Sequence, residues 1–94
     1  MNQGSLLEFR RRVLKQQIAD HLDLLIGSVH KAPSQRGYHL TTKASGKSVT
    51  KYVRRDLASL AKGMTQNHLQ VRKLLRQLSE VNWRWLNIQS STAA

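Results

Sequence analysis

Apolar residues recur along the first part of the chain at helical spacing. Leu7, Leu14, Ile18, Leu22 and Leu25 fall on one stripe, and Val13 and Ile26 widen it. Ser5 and Glu8 stand at the S-x-x-E spacing of a capping box, in which hydroxyl and carboxylate satisfy N–H groups of the first turn. Gly27 supplies a C-terminal stop. The pattern predicts a helix over 5–26. The triplet Arg10–Arg12 interrupts the stripe and is expected to splay towards solvent or a ligand. Residues 27–37 read as a loop, because they hold the only proline of the chain between two glycines.

The period then changes from helical to alternating. Tyr38, Leu40 and Thr42 alternate with His39, Thr41 and Lys43. Beyond Ser45-Gly46, Val49, Lys51 and Val53 alternate with Ser48, Thr50 and Tyr52. With Ser45-Gly46 as a two-residue turn, Tyr38 faces Val53, Leu40 faces Lys51 and Thr42 faces Val49 on one largely apolar side. On the other side His39 meets Tyr52, Thr41 meets Thr50 and Lys43 meets Ser48. A two-stranded hairpin over 38–54 is expected, and its apolar side needs a helix or another chain to cover it.

The last third returns to helical spacing. Leu57, Met64, Val71, Leu78 and Trp85 repeat every seven residues, with Leu60, Asn67, Leu74, Val81 and Ile88 in the second seam. Asp56 is the expected N-cap of a helix over 56–88, and Gly63 is the weak point at which it could divide into a pair. Ala61, Leu75 and Leu86 broaden the stripe. Trp85 follows the seam into the core, whereas Trp83 falls outside it and suits a partner contact. Residues 89–94 read as a disordered tail. The expected architecture is a single small α+β domain over 1–94: an N-terminal helix, a two-stranded antiparallel hairpin and a long C-terminal helix.

Composition narrows the function. The 94 residues contain no cysteine, so disulfide frameworks and thiol chemistry are absent. His21, His30, His39 and His68 lack metal-ligand spacing, and the five acidic residues form no obvious catalytic pair. Ser45–Ser48 reads SGKS, but Thr41 occupies the place where a phosphate-binding loop needs glycine. No enzyme activity, cofactor, metal or small-molecule substrate is therefore expected. No apolar run is long enough to span a membrane and no apolar leader core opens the chain, so a cytoplasmic location is expected.

Charge changes the picture most. Sixteen Lys and Arg face five Asp and Glu, a net of +11. Residues 31–76 hold eleven of those cations against Asp56 alone, a net of +10. A polyanion is the natural counterpart. Lys31, Arg36, Lys43, Lys47, Lys51, Arg54 and Arg55, on and around the hairpin, are the expected phosphate contacts, joined by Arg72, Lys73 and Arg76 on the helix. Tyr38 and Tyr52 read first as cross-strand packing and second as platforms for unpaired bases. The leading expectation is a non-catalytic nucleic-acid-binding protein, DNA ahead of RNA, acting as a homodimer or beside a larger protein partner. The rival is a helical oligomerisation or protein-interaction module whose charge is incidental. Either way, Val71, Leu74, Leu78, Val81 and Trp85 form the expected oligomer interface. An acidic-membrane binder is the weakest reading, because the hairpin lacks a bulky apolar rim.

Several short motifs occur in a recognisable order: Gly27-Ser28, then Gly37-Tyr38-His39-Leu40-Thr41, Gly46-Lys47, Tyr52-Val53 and Leu78-Ser79-Glu80-Val81-Asn82. In that order and spacing the chain resembles a family of small, uncharacterised bacterial proteins, some encoded near transposable elements. The similarity covers roughly residues 27 to 86. Many relatives carry a cysteine cluster after the GS pair, where this chain has His30 to Gln35, so no metal or redox role carries over. The resemblance implies a hairpin-plus-long-helix fold and a mobile-element setting, and no mechanism.

Overall fold

The first helix, α1, spans Gln3–Ala19. The computed structural model describes residues 3–32 and 36–93, with side chains up to Gln89. Positions 33–35 of the expected loop and position 94 of the expected tail lie outside the described residues. α1 begins two residues ahead of Ser5, which therefore lies inside the first turn, and the Glu8 carboxylate pairs with Arg11 at 3.1 Å. It also ends seven residues short of the expected boundary. The His21 N–H turns back to the Ile18 carbonyl at 3.0 Å, and His21 Nδ1 lies 2.6 Å from the Gln17 carbonyl. Those contacts tighten and close the last turn.

Residues 20–27 are not helical. In place of the expected last two turns, the Leu25 N–H donates to the Met64 carbonyl at 3.0 Å and Asn67 Nδ2 donates to the Asp23 carbonyl at 2.8 Å. Leu24 and Leu25 are half-buried without being helical. Their spacing fits a helix, but the segment takes its hydrogen bonds from a distant partner. Gly27 does not stop a helix. Its φ is +140°, and a Cβ there would come within 2.4 Å of the Thr41 carbonyl oxygen, so the position carries glycine because two backbones meet.

Three strands follow: β1 at Ser28–Lys31, β2 at Tyr38–Ala44 and β3 at Lys47–Val53. They form one antiparallel sheet in the order β1-β2-β3. The expected hairpin register holds throughout, from Tyr38 opposite Val53 to Ala44 opposite Lys47. Ser45 and Gly46 have φ of 53° and 79°, the two positive values that a I′ turn requires. The sheet nevertheless has three strands where two were expected. β1 places Val29 opposite Leu40 and Lys31 opposite Tyr38. With four residues and only one large apolar side chain, it offers too little alternation to distinguish it from loop.

A short 3₁₀ turn over Arg55–Leu57 leads into the second helix, α2, spanning Ala58–Ala93. Asp56 therefore lies inside the 3₁₀ turn, where its carboxylate takes the Arg54 guanidinium at 2.7 and 3.1 Å. α2 has 36 residues, about 54 Å at helical rise. It does not break at Gly63, and it runs past 88 through most of the expected tail. The chain divides into two compact units, Met1–Leu22 with Gln70–Ala94, and Asp23–Leu69.

In the first unit α1 packs on the C-terminal part of α2. Leu7, Leu14, Leu74 and Val81 form the core, with Ile18, Leu78, Trp85 and Ile88 packed around them. Arg11 belongs to this packing. Its guanidinium carbon lies 4.3 Å from the centroid of the Trp85 ring and its Nε donates to Asn82 Oδ1 at 2.8 Å. Arg10 and Arg12 are exposed as expected, but Arg11 turns inward. A guanidinium can do so because its stem is apolar and its face stacks on an indole.

In the second unit the heptad does not decide what α2 buries. Ala58, Ala61 and Thr65 are the buried positions, while Leu57 and Leu60 are 44% and 64% exposed. Thr65 satisfies its hydroxyl on the Lys62 carbonyl at 2.7 Å. Leu57, Leu60 and Met64 instead line, with Leu25 and Val53, an open apolar cavity of about 440 Å³. Leu40 is the buried centre of the sheet.

Two outcomes follow for stability. Leu14→Ala removes a side chain that is 4% exposed and should cost about 3 kcal/mol in urea unfolding followed by far-UV circular dichroism. Leu6→Ala on the same helix, 53% exposed, should stay within about 0.5 kcal/mol. Glycine-to-alanine changes should have opposite signs. Gly46→Ala meets no neighbour within 4 Å but keeps φ at +79°, so it should cost about 1 kcal/mol. Gly63→Ala, equally free of neighbours but helical, should gain about 0.5–1 kcal/mol, both read as shifts in thermal midpoint.

Candidate nucleic-acid interface

The strand register sorts the hairpin lysines. Side chains alternate across a sheet, so Lys47 and Lys51 on β3 share a face with Tyr38, Leu40 and, from β1, Lys31. Lys43 falls on the opposite face, in the company of His39, Thr41, Thr50 and Tyr52. The three expected hairpin contacts thus do not form one row. On that opposite face His30 stands across from His39, and His39 across from Tyr52.

A basic site lies at the other end of the strands. Lys31, Arg36, Tyr38 and Arg55 line a concave site of about 350 Å³. Lys31 arrives there because β1 pairs it directly with Tyr38. Arg36 enters on the residues just ahead of β2, and Arg55 opens the 3₁₀ turn that follows β3. Lys62, on α2, holds its Nζ 5.0 Å from the centroid of the Tyr38 ring. Lys31, Arg36 and Arg55, from separate stretches of sequence, therefore line one cavity with Tyr38, Lys62 lies against the Tyr38 ring, and among the described residues no carboxylate lines the site. Such a site has the chemistry to hold a phosphate group, with guanidinium forks for its oxygens and a point charge beside them.

Arg54 does not join it. Its guanidinium is held by both oxygens of Asp56, which locally neutralises one of the expected phosphate contacts. Arg72, Lys73 and Arg76 lie in the first unit, all three exposed on α2. They are apart from the hairpin in the sequence and belong to a different unit. The expected oligomer seam is occupied within the chain. Leu74 and Val81 are buried in the cluster with Leu7 and Leu14, Leu78 and Trp85 pack against that cluster, and Val71 is buried as well.

Two participants escaped the sequence reading. Lys62 stands next to Ala61 and one turn past Ala58, and the spacing of small residues at 58, 61 and 65 was the signal that this side of the helix is the close-packed one. Arg11 gave no separate signal inside its triplet. Among the described residues no group of three or more His, Asp or Glu could hold a metal ion, and no helix is long and apolar enough to cross a membrane. No family model, no curated protein and no solved structure matches the chain.

Proposed function

We propose that the chain is a non-catalytic nucleic-acid-binding protein, DNA ahead of RNA, that grips phosphates at the Tyr38 site and along the hairpin. The observation that carries this reading is the cavity that Lys31, Arg36 and Arg55 line with Tyr38, with Lys62 against the same ring and no carboxylate among the described lining residues. Cations collected without counter-ions cost self-repulsion, and a polyanion relieves it. Lys47 and Lys51 extend the same face of the sheet towards the turn. In the setting implied by the family resemblance, the chain serves as an accessory to a mobile-element or other DNA-processing enzyme.

A second reading, a protein-interaction module, is favoured by a different observation. Leu6, Phe9 and Val13 lie along one face of α1 and are 53%, 57% and 38% exposed, away from the core positions Leu7 and Leu14. In that reading the contact uses this outer face. Sedimentation should then show a species whose mass rises with concentration, and Phe9→Glu should abolish the rise.

The nucleic-acid reading is tested by titrating a labelled duplex over a salt series. Binding should weaken with log–log slope of about 0.9 per phosphate neutralised. The triple variant K31Q/R36Q/R55Q should flatten that slope by about 2.7 if each cation holds one phosphate, with the far-UV spectrum unchanged. Absence of binding at about 50 mM salt, where polyanion contacts are strong, would sink the reading.

A further inference from the structure

The first unit carries a second basic concavity, built from residues that come together only in the fold. Arg10 on α1 and Lys73, Arg76 and Arg84 on α2 line a groove of about 410 Å³, with Val81 among its lining residues. Val81 is 4% exposed and belongs to the core that joins the two helices, so the groove runs along a fixed helix–helix seam. Lys73 and Arg84 are eleven residues apart on one helix, about 16 Å along its axis. That length is comparable to the axial span of several successive phosphates on one strand of duplex. One carboxylate, Glu80, also lines the groove, and its Oε1 lies 3.7 Å from Arg84 Nε, both side chains being more than half exposed.

We infer that this groove is a separate phosphodiester-binding surface in which Glu80 holds Arg84 and lowers the affinity of the empty site. The inference rests on the nucleic-acid reading above and adds a contact surface that uses α1. Arg12, on the same helix, is exposed and outside the groove, so it serves as an internal reference. Three of the four cations are guanidiniums, which match phosphate oxygens bidentately. Glu80 sets the sign of one clear effect. Its removal leaves all four cations, frees Arg84 and takes away the one like-charge repulsion that an incoming phosphate would meet.

The experiment compares the full chain with R10Q/R76Q, E80Q and R12Q, using anisotropy of a labelled DNA duplex over a salt series. Poly-glutamate of matched charge is added as competitor in a second arm. E80Q should tighten binding about threefold and R10Q/R76Q should flatten the salt slope by about 1.8, while R12Q shifts the slope by less than half that amount. The substituted side chains are exposed, and unchanged far-UV spectra and thermal midpoints confirm the fold. If E80Q weakens binding, or if R10Q/R76Q and R12Q behave alike while the wild-type chain still binds, the groove is not a contact and only this inference is lost. If poly-glutamate displaces the duplex at equal charge, the groove is not selective for phosphodiesters. If the wild-type chain binds no duplex at low salt, the nucleic-acid reading fails first.

Discussion

With 16 Lys and Arg sharing five Asp and Glu, repulsion between cations works against every close approach of chain segments. Carboxylates give little help over distance. Among the described residues the ion pairs are Arg11 with Glu8, Arg54 with Asp56 and Arg84 with Glu80, each between residues no more than four apart. Such pairs shape a helix turn or a strand exit and contribute a few tenths of a kcal/mol when exposed. Cohesion between distant segments must come from apolar burial and from neutral acceptors.

An aromatic ring faces a cation in each unit. Arg11 lies against Trp85 in the first, and Lys62 lies against Tyr38 in the second. A ring face attracts a cation without introducing a second charge that would itself need solvation. The two cases differ in consequence. Arg11 also donates to Asn82 and Glu8, so its charge is used inside the packing. Among the described residues the Lys62 ammonium has only the ring contact, and that ring belongs to Tyr38, which lines a cavity with Lys31, Arg36 and Arg55.

The hairpin was legible in the sequence because two physical signals agreed, the alternation of Tyr38, Leu40 and Thr42 and a turn dipeptide that tolerates positive φ. The long helix was legible through more than four seven-residue repeats of apolar positions. What the sequence misstated shares a cause. Leu22, Leu25, Leu57 and Leu60 are large and apolar, and pattern reading assigns such residues to a buried helix face. Here Leu25 belongs to an irregular segment and its N–H bonds to the Met64 carbonyl, and the positions of α2 buried in the second unit are Ala58, Ala61 and Thr65. Small residues permit close packing but contribute weakly to any hydrophobic pattern. For the site, charge density identified Lys31, Arg36 and Arg55 as a class. The hairpin register brings the ends carrying Arg36 and Arg55 together, but only the pairing of β1 with β2 adds Lys31, and β1 itself left too short a trace to be read.

The ribbon from Lys43 to Ser48 has no buried side chain, so its own ladder and the Ser45-Gly46 turn are what hold it. Ordering a free loop of that length on a ligand would cost on the order of 1–2 kcal/mol of backbone entropy per residue. A turn that already holds positive φ at both central positions meets that cost during folding. Lys43 and Lys47 are therefore presented on a preorganised arm, one to each face, and whatever they touch is spared the expense of straightening it.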